Sequence, residues 1–109
     1  MAKPVVHFEQ DAYALVRRAI EERRQVYATY GGHQRRMCPH VIGTTDRRPR
    51  ALFFQFAGGS DRGLPPAGDW RCLLLDGLTD VSVHDGPWHT RAHSEPQHCV
   101  IEVDLEIDS

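Results

Sequence analysis

The stretch GDWRCLLLDGLTDV, residues 68–81, is the most informative part of the chain. The apolar run Leu73–Leu75, with a glycine close behind it, predicts a buried strand followed by a tight turn. Arg71 and Asp76 flank the leucines, and Trp70 stands beside Arg71. These neighbours leave two interpretations open: a core strand with charged ends, or one wall of a ligand site.

The surrounding sequence predicts one helix followed by a succession of short strands. DAYALVRRAIEERR has apolar residues at helical spacing, and Asp11 before them is suited to be the N-cap. RALFFQF is apolar on both faces and is predicted to be a central strand. We expect a single domain, 1–109, with these segments: a helix (8–24), a barrel core (25–84), a loop (85–98) and a terminal strand (99–108).

These elements predict a mainly β domain with one N-terminal helix, of the α+β class. Consecutive short strands joined by tight turns favour a small antiparallel five-stranded Sm-like barrel, and the terminal strand is an extra one. That strand is expected to cover a sheet edge or to pair with a second copy of the chain. Its apolar residues share one predicted face: Cys99, Ile101, Val103, Leu105 and Ile107.

The composition is that of an ordinary globular domain. The formal net charge of −2 gives no global basic field that would attract nucleic acid. No apolar run approaches about 18 residues, and the N-terminus lacks the apolar core of a secretory signal, so no membrane span is expected. The three cysteines are an odd number at wide spacing, which predicts free thiols and a cytoplasmic protein.

Residues 71–78 read Arg-Cys-Leu-Leu-Leu-Asp-Gly-Leu. This run resembles the late strand of the WYL domain, a small Sm-like β-barrel of bacterial regulators, which ends close to Arg-x-Phe-Arg-Leu-Asp-Arg-Ile. AIEERRQVYATY is similar to the family's opening helix and first strand. The resemblance covers roughly residues 12–84.

Two further positions carry the resemblance. MCPHVIG is similar to the family's apolar-x-Pro-aromatic-x-Leu step, with Pro39 in the proline position and His40 in the aromatic one. RALFFQF stands where the family has its naming Trp-Tyr-Leu tripeptide, and only Leu52 agrees with it.

The resemblance implies a regulatory module that binds nucleic acid or a nucleotide-like effector through arginines of the late strand and loop. Of the matched positions, Arg71 and Asp76 keep the family's residues, whereas Leu74 and Gly77 stand where it has two more arginines. Because no helix-turn-helix fits before residue 12, the chain is expected to be a diverged, standalone member.

Several side chains beyond the late strand are candidates for a ligand site. The tryptophans and His89 offer flat faces for stacking on a base. Gln55 is a polar residue in a buried strand, and Arg35 and Arg36 begin a basic stretch that can contact phosphates. The predicted ligand-binding residues are Arg71, Asp76, Trp70, Gln55, His40, Arg35, Arg36, Trp88 and His89.

Each candidate also has a structural interpretation. The tryptophans can close the ends of the barrel, Gln55 can bond to the backbone, and the basic stretch can be a solvated face. Arg71 can form an ion pair with Asp76 or with an acidic residue of the last strand. Because strand neighbours alternate between faces, Arg71 and Asp76 point in opposite directions, which disfavours the direct pair.

The sequence predicts a binding module rather than an enzyme, with no metal and no cofactor. Its ligand would be a small anionic or nucleotide-like molecule, with nucleic acid less favoured. The alternative is a protein-interaction module, such as a homodimer formed through the terminal strand. A zinc-dependent enzyme is the least favoured, because its possible ligands match no strong zinc spacing. These ligands would be Cys38, His40, His89, His93, His98 and Cys99.

Overall fold

The computed structural model describes residues 11–92 and 97–107. Within them the chain forms one α-helix and six strands, which confirms a mainly β domain with an N-terminal helix. A 3-10 turn, Leu75–Gly77, separates the fourth and fifth strands. The elements are α1 (Ala12–Glu22), β1 (Gln25–Tyr30), β2 (His33–Thr45), β3 (Arg48–Gly58), β4 (Asp69–Leu74), β5 (Thr79–His84) and β6 (Glu102–Glu106).

Asp11 is the N-cap of the helix, as the sequence predicts, and the helix ends earlier than the predicted residue 24. The side chain of Asp11 accepts a hydrogen bond from the backbone N–H of Ala14 at 2.8 Å, which satisfies a free amide of the first turn. The helix ends before Arg23, which adopts the left-handed conformation with φ 53°. The predicted helix, 8–24, is therefore too long at its C-terminal end, and residues 8–10 lie outside the described part. No helix in the described residues has the length and apolar character to cross a membrane.

The strands form one antiparallel sheet whose main path is β4-β3-β2-β1-β5. One side of the long strand β2 pairs with two strands. Its first half pairs with β1, and its second half pairs with β6. Between Pro39 and Val41 the pairing of β2 with β3 shifts register. Proline has no N–H to donate to a ladder, so Pro39 is accommodated at this irregularity.

The sheet is open. The path ends at β4 and β5, and among the described residues no ladder joins these two strands. A closed barrel is therefore not formed by the observed pairing. The extra strand β6 covers the edge of β2 beyond the end of β1, which confirms the prediction that the terminal strand covers a sheet edge.

Two apolar clusters lie on opposite faces of the sheet. The larger one packs α1 against β1, β2, β3 and the start of the 3-10 turn, with Phe53 fully buried within it. Leu52 precedes Phe53 in β3 and points the other way, into the smaller cluster. Trp70 packs against that second cluster, whose buried members are Val41, Leu52, Cys99 and Val100.

The cysteine prediction is wrong for two of the three residues. Cys72 of β4 and Cys99 are joined by a disulfide, while Cys38 is free and buried. The partners are 27 residues apart in sequence and meet because the terminal segment crosses back over β4. Because disulfides are rare in a reducing cytoplasm, the cysteines no longer support the predicted cytoplasmic location.

The terminal strand also departs from its predicted pattern. β6 begins at Glu102 rather than at residue 99, and residue 108 lies outside the described part. Ile101 is 65% exposed and Val103 is 45% exposed, so the predicted apolar face is not buried as a whole. The cause is a register shift between Ile42 and Gly43 of β2, which breaks the simple alternation along β6.

Two hydrogen bonds to the side chain of Asp104 connect β6 to α1. The carboxylate of Asp104 accepts hydrogen bonds from the Tyr13 hydroxyl at 2.5 Å and from Arg17 Nε at 3.1 Å. These bonds hold the pKa of Asp104 below its usual value. Burial and then the Asp104 contact raise the pKa of Tyr13 to about 12.

Candidate anion-binding site between β3 and β4

The predicted ligand-binding residues do not converge on one site. In the pairing of β3 with β4, Phe53 lies opposite Arg71 and Phe54 lies opposite Trp70. Successive residues of a strand point to opposite faces, so Arg71 and Trp70 belong to different surfaces of the sheet. The sheet therefore separates the cationic candidates from the aromatic ones.

A cavity of about 450 Å³ opens beside Arg71. It is formed by the glycine-rich loop that joins β3 to β4. Gly63 has a φ of 77°, which L side chains rarely adopt, and its N–H bonds to the carbonyl of Ser60 at 3.0 Å. The lining residues are Arg62, Gly63, Leu64, Pro65, Asp69 and Arg71.

Arg71 is held in this cavity by weak partners. Its side chain is 17% exposed, and Nη2 donates to Ser60 Oγ at 3.3 Å and to the Gly63 carbonyl at 3.1 Å. Its ion-pair partner is Asp69, at the long distance of 3.5 Å, and Nε has no hydrogen-bond partner among the described residues. The alternative pairing with Asp76 or the last strand is therefore wrong.

Asp76 does not belong to this cavity. It lies exposed in the 3-10 turn after β4 and is absent from the cavity lining. The alternation of strand faces already disfavours its contact with Arg71. By the same rule Asp69, two residues before Arg71, shares its face, so the sequence contained a signal for the true partner.

A second arginine, Arg35, lies near enough to Arg71 for the two charges to interact. Arg35 is 6% exposed, and its guanidinium donates to the Tyr30 carbonyl at 3.2 and 3.3 Å and to Gln55 Oε1 at 3.3 Å. In the described chain no carboxylate is within ion-pairing distance of it, and Asp61 acts only at longer range. Burial first, and then the positive charge of Arg71, lower the pKa of Arg35.

Gln55 has a structural role. It is fully buried, and its amide nitrogen donates to the carbonyls of Ala57 and Gly59 at 3.1 and 3.0 Å. Its oxygen accepts the bond from Arg35. Every polar group of the amide is thus engaged, which supports the backbone-bonded interpretation over a ligand contact. Gln55 fixes both the start of the loop and the position of Arg35.

Asp69 joins the two faces of β4. Its Oδ2 faces Arg71, while its Oδ1 accepts hydrogen bonds from Arg91 Nη2 at 3.2 Å and from the backbone N–H of Trp70 at 2.9 Å. The Asp69 carboxylate is therefore shared between Arg71 and Arg91. Arg62 adds another positive charge to the cavity lining. The cavity has an excess of positive charge even though the whole chain carries a formal net charge of −2.

The sequence reasoning missed Arg62, Asp69 and Arg91. Arg62 lies in the loop between β3 and β4, and in the sequence only its place among glycines distinguishes it from other surface arginines. Arg91 comes from the segment after β5, and no local pattern connects it with β4.

The aromatic candidates cluster on the outer face of the sheet, the face that carries Leu52. His40 contacts Trp70 edge-on at 4.7 Å and Trp88 at 5.0 Å, measured between ring centroids. His89 stacks on Phe56 at 4.1 Å. The tryptophans thus pack on the sheet and do not close the ends of a barrel. A cavity of about 430 Å³ lies beside His40 and Trp70.

The basic stretch is divided between two surfaces. Arg35 points inward, whereas its neighbour Arg36 is exposed, with its guanidinium 5.0 Å from the centroid of the Tyr27 ring. Tyr27 in turn stacks on His84 at 4.0 Å. Of these two arginines, the solvated interpretation fits Arg36 and not Arg35.

The possible zinc ligands are not available as a set. Cys99 is bonded to Cys72, so a zinc site that uses its thiolate is wrong. The Cys38 thiol is buried, which raises its pKa, and it accepts a bond from the His89 N–H at 3.3 Å. His93 lies outside the described residues, and those residues hold no group of three His, Cys, Asp or Glu side chains able to bind a metal.

No family model, curated protein or solved structure matches this chain. The resemblance to the WYL domain therefore stays a prediction. The functional conclusion depends on the geometry of the cavity between β3 and β4.

Proposed function

We propose that this chain is a ligand-sensing module that binds a small phosphate-type anion in the cavity between β3 and β4. The supporting observation is the state of Arg71: its one carboxylate partner among the described residues is 3.5 Å away and is shared with Arg91. A guanidinium forms its best contacts with an oxyanion through two parallel N–H···O bonds at about 2.7–2.9 Å. Asp69 does not provide such a contact.

The charge distribution also supports an anion. Arg62 and Arg71 line the cavity, and Arg35, whose charge interacts with that of Arg71, has no carboxylate within ion-pairing distance among the described residues. After burial, the positive charge of Arg71 is the next cause of the lowered pKa of Arg35, so the two like charges repel each other. A bound anion would offset that repulsion, so the site favours an occupied state.

The proposal agrees with the predicted resemblance in one residue and departs from it in others. Arg71 is the arginine that the WYL pattern retains, and here it lines the cavity. Leu74 and Gly77 replace two other arginines of that pattern, and Arg62 and Arg35 would take over their role. The strand order and the 3-10 turn between β4 and β5 are compatible with an opened Sm-like arrangement. We therefore propose a diverged regulatory module of this kind.

Titration of labelled protein with methyl phosphate and adenosine 5′-monophosphate, followed by NMR, tests the proposal. The backbone amide signals of Gly63, Asp69 and Arg71 are expected to shift and to saturate. Arg71→Gln should weaken binding by roughly tenfold or more, because a hydrogen bond to a charged group contributes about 1.5–3 kcal/mol. Arg62→Gln should weaken it less, since Arg62 is exposed.

Arg18→Gln is the matched control. This arginine is on α1, where it forms an exposed ion pair with Glu22 at 3.6 Å, so its loss should leave the affinity unchanged. Equal affinity of the Arg71→Gln and Arg18→Gln proteins for methyl phosphate would contradict the proposal. Stronger binding of the nucleotide than of methyl phosphate would identify a nucleotide-like effector.

A second candidate function is self-association through β6. Among the described strands β6 pairs only with β2, and two apolar side chains are exposed: Ile101 just before β6 and Val103 within it. A strand with an unpaired edge can pair with another chain. If this edge forms a dimer, the solution mass should rise with protein concentration, and Val103→Lys should restore the monomer. A mass of one chain at every concentration would exclude this candidate.

A further inference from the structure

We infer that Asp69 makes the proposed site selective for anions that carry a proton. The ligand class is then the monoanion of a phosphate monoester, and sulfate-type anions are rejected. This inference depends on the proposed function of the cavity and identifies the chemistry of its ligand.

Asp69 is a fixed part of the cavity wall. It lines the same cavity as Arg71, and its Oδ1 is restrained by Arg91 at 3.2 Å and by the Trp70 N–H at 2.9 Å. These two contacts come from different parts of the chain, and together they orient the carboxylate with its Oδ2 toward Arg71. Its Oδ2 faces Arg71 at 3.5 Å, too long for a strong charge-assisted bond.

An anion bound to Arg71 would therefore meet a carboxylate oxygen as well as N–H donors. Two negatively charged oxygens in contact repel each other unless one of them carries a hydrogen. If the ligand has a P–OH group, the contact becomes an O–H···O⁻ bond, among the stronger hydrogen bonds in proteins. The Gly63 carbonyl, which already accepts a bond from Arg71, places another acceptor on the same wall.

Methyl phosphate and methyl sulfate are matched probes for this chemistry. At pH 5.5 most methyl phosphate is the monoanion, because the second pKa of such an ester is about 6. Methyl sulfate has the same charge and nearly the same shape but has no proton to donate. A difference in affinity between the two probes therefore measures the effect of a hydrogen-bond acceptor in the site, the carboxylate of Asp69.

NMR titration of the full chain with both probes at pH 5.5 tests the inference. The wild-type protein is expected to bind methyl phosphate roughly tenfold more tightly than methyl sulfate, the effect of one hydrogen bond to a charged group. In Asp69→Asn the carboxamide can donate to either anion, so the preference should fall to within about twofold. Asp69→Ser also removes the charge and should lose the preference for methyl phosphate to the same extent. It replaces Asp69→Asn in the test if that variant does not fold.

Asp61→Asn is the matched control. Asp61 is an acid of the same loop that pairs with His33 at 2.9 Å and does not line the cavity, so its variant should keep the wild-type preference. Equal binding of the two probes by the wild-type protein would overturn the inference and leave the proposed function standing. An unchanged preference in both Asp69 variants would overturn it as well. Failure of the wild-type protein to bind either probe would instead remove the proposed function.

Discussion

Replacing Cys72 with serine is expected to lower the free energy of unfolding by about 3.5 kcal/mol. The Cys72–Cys99 disulfide closes a loop with a sequence separation of 27. Cross-linking a loop of this size removes about that much conformational freedom from the unfolded chain, in the entropic description of disulfides. A domain of this length has a total stability of about 5–15 kcal/mol, so the loss would be a large fraction of it. Urea unfolding of both proteins measures the difference.

The same experiment with a reducing agent provides the control. Reduction of the wild-type protein should lower its unfolding midpoint to nearly that of the Cys72→Ser variant, and reduction of the variant should change little. Thiol titration of the unfolded wild-type chain should find one free cysteine, Cys38. Three reactive thiols and a midpoint that does not respond to reduction would show that the cross-link is absent.

The elements that could be predicted from sequence are those with a local cause. Asp11 caps the helix because its side chain reaches an amide three residues away. The Gly31–Gly32 pair forms the turn between β1 and β2 with φ values of 59° and 81°. RALFFQF is central because a strand buried on both faces must be apolar on both, and β3 lies between β2 and β4.

The features that could not be predicted depend on contacts between distant segments. The disulfide forms because residues 97–101 return across β4, and no spacing of the cysteines reveals that path. Arg91 reaches Asp69 from the segment after β5, 22 residues along the chain. The open sheet could not be predicted for the same reason. Whether β4 and β5 pair depends on the arrangement of all the strands, and among the described residues no ladder joins them.

The candidate site could be predicted from the sequence only in part. Arg71 was identified from its strand, and its partner Asp69 follows from the alternation of strand faces. The same alternation separates Trp70 from Arg71, although both were predicted for one site. What the sequence lacked was the course of the loop from residue 59 to 68, which brings Arg62 and the Gly63 carbonyl to the face that Arg71 occupies.

Phe53→Ala is expected to lower the free energy of unfolding by about 3–5 kcal/mol, because a fully buried phenyl ring is lost and a cavity remains. Phe53 lies at the centre of the larger core, opposite Pro39 on β2 and Arg71 on β4. Phe56→Ala is the matched control: this ring of the same strand is partly exposed and stacks on His89, so about 1 kcal/mol is expected. Thermal or urea unfolding gives both values. Because a shift of β3 by one residue would exchange its two faces, equal losses would contradict the register that places Arg71 beside the anion cavity.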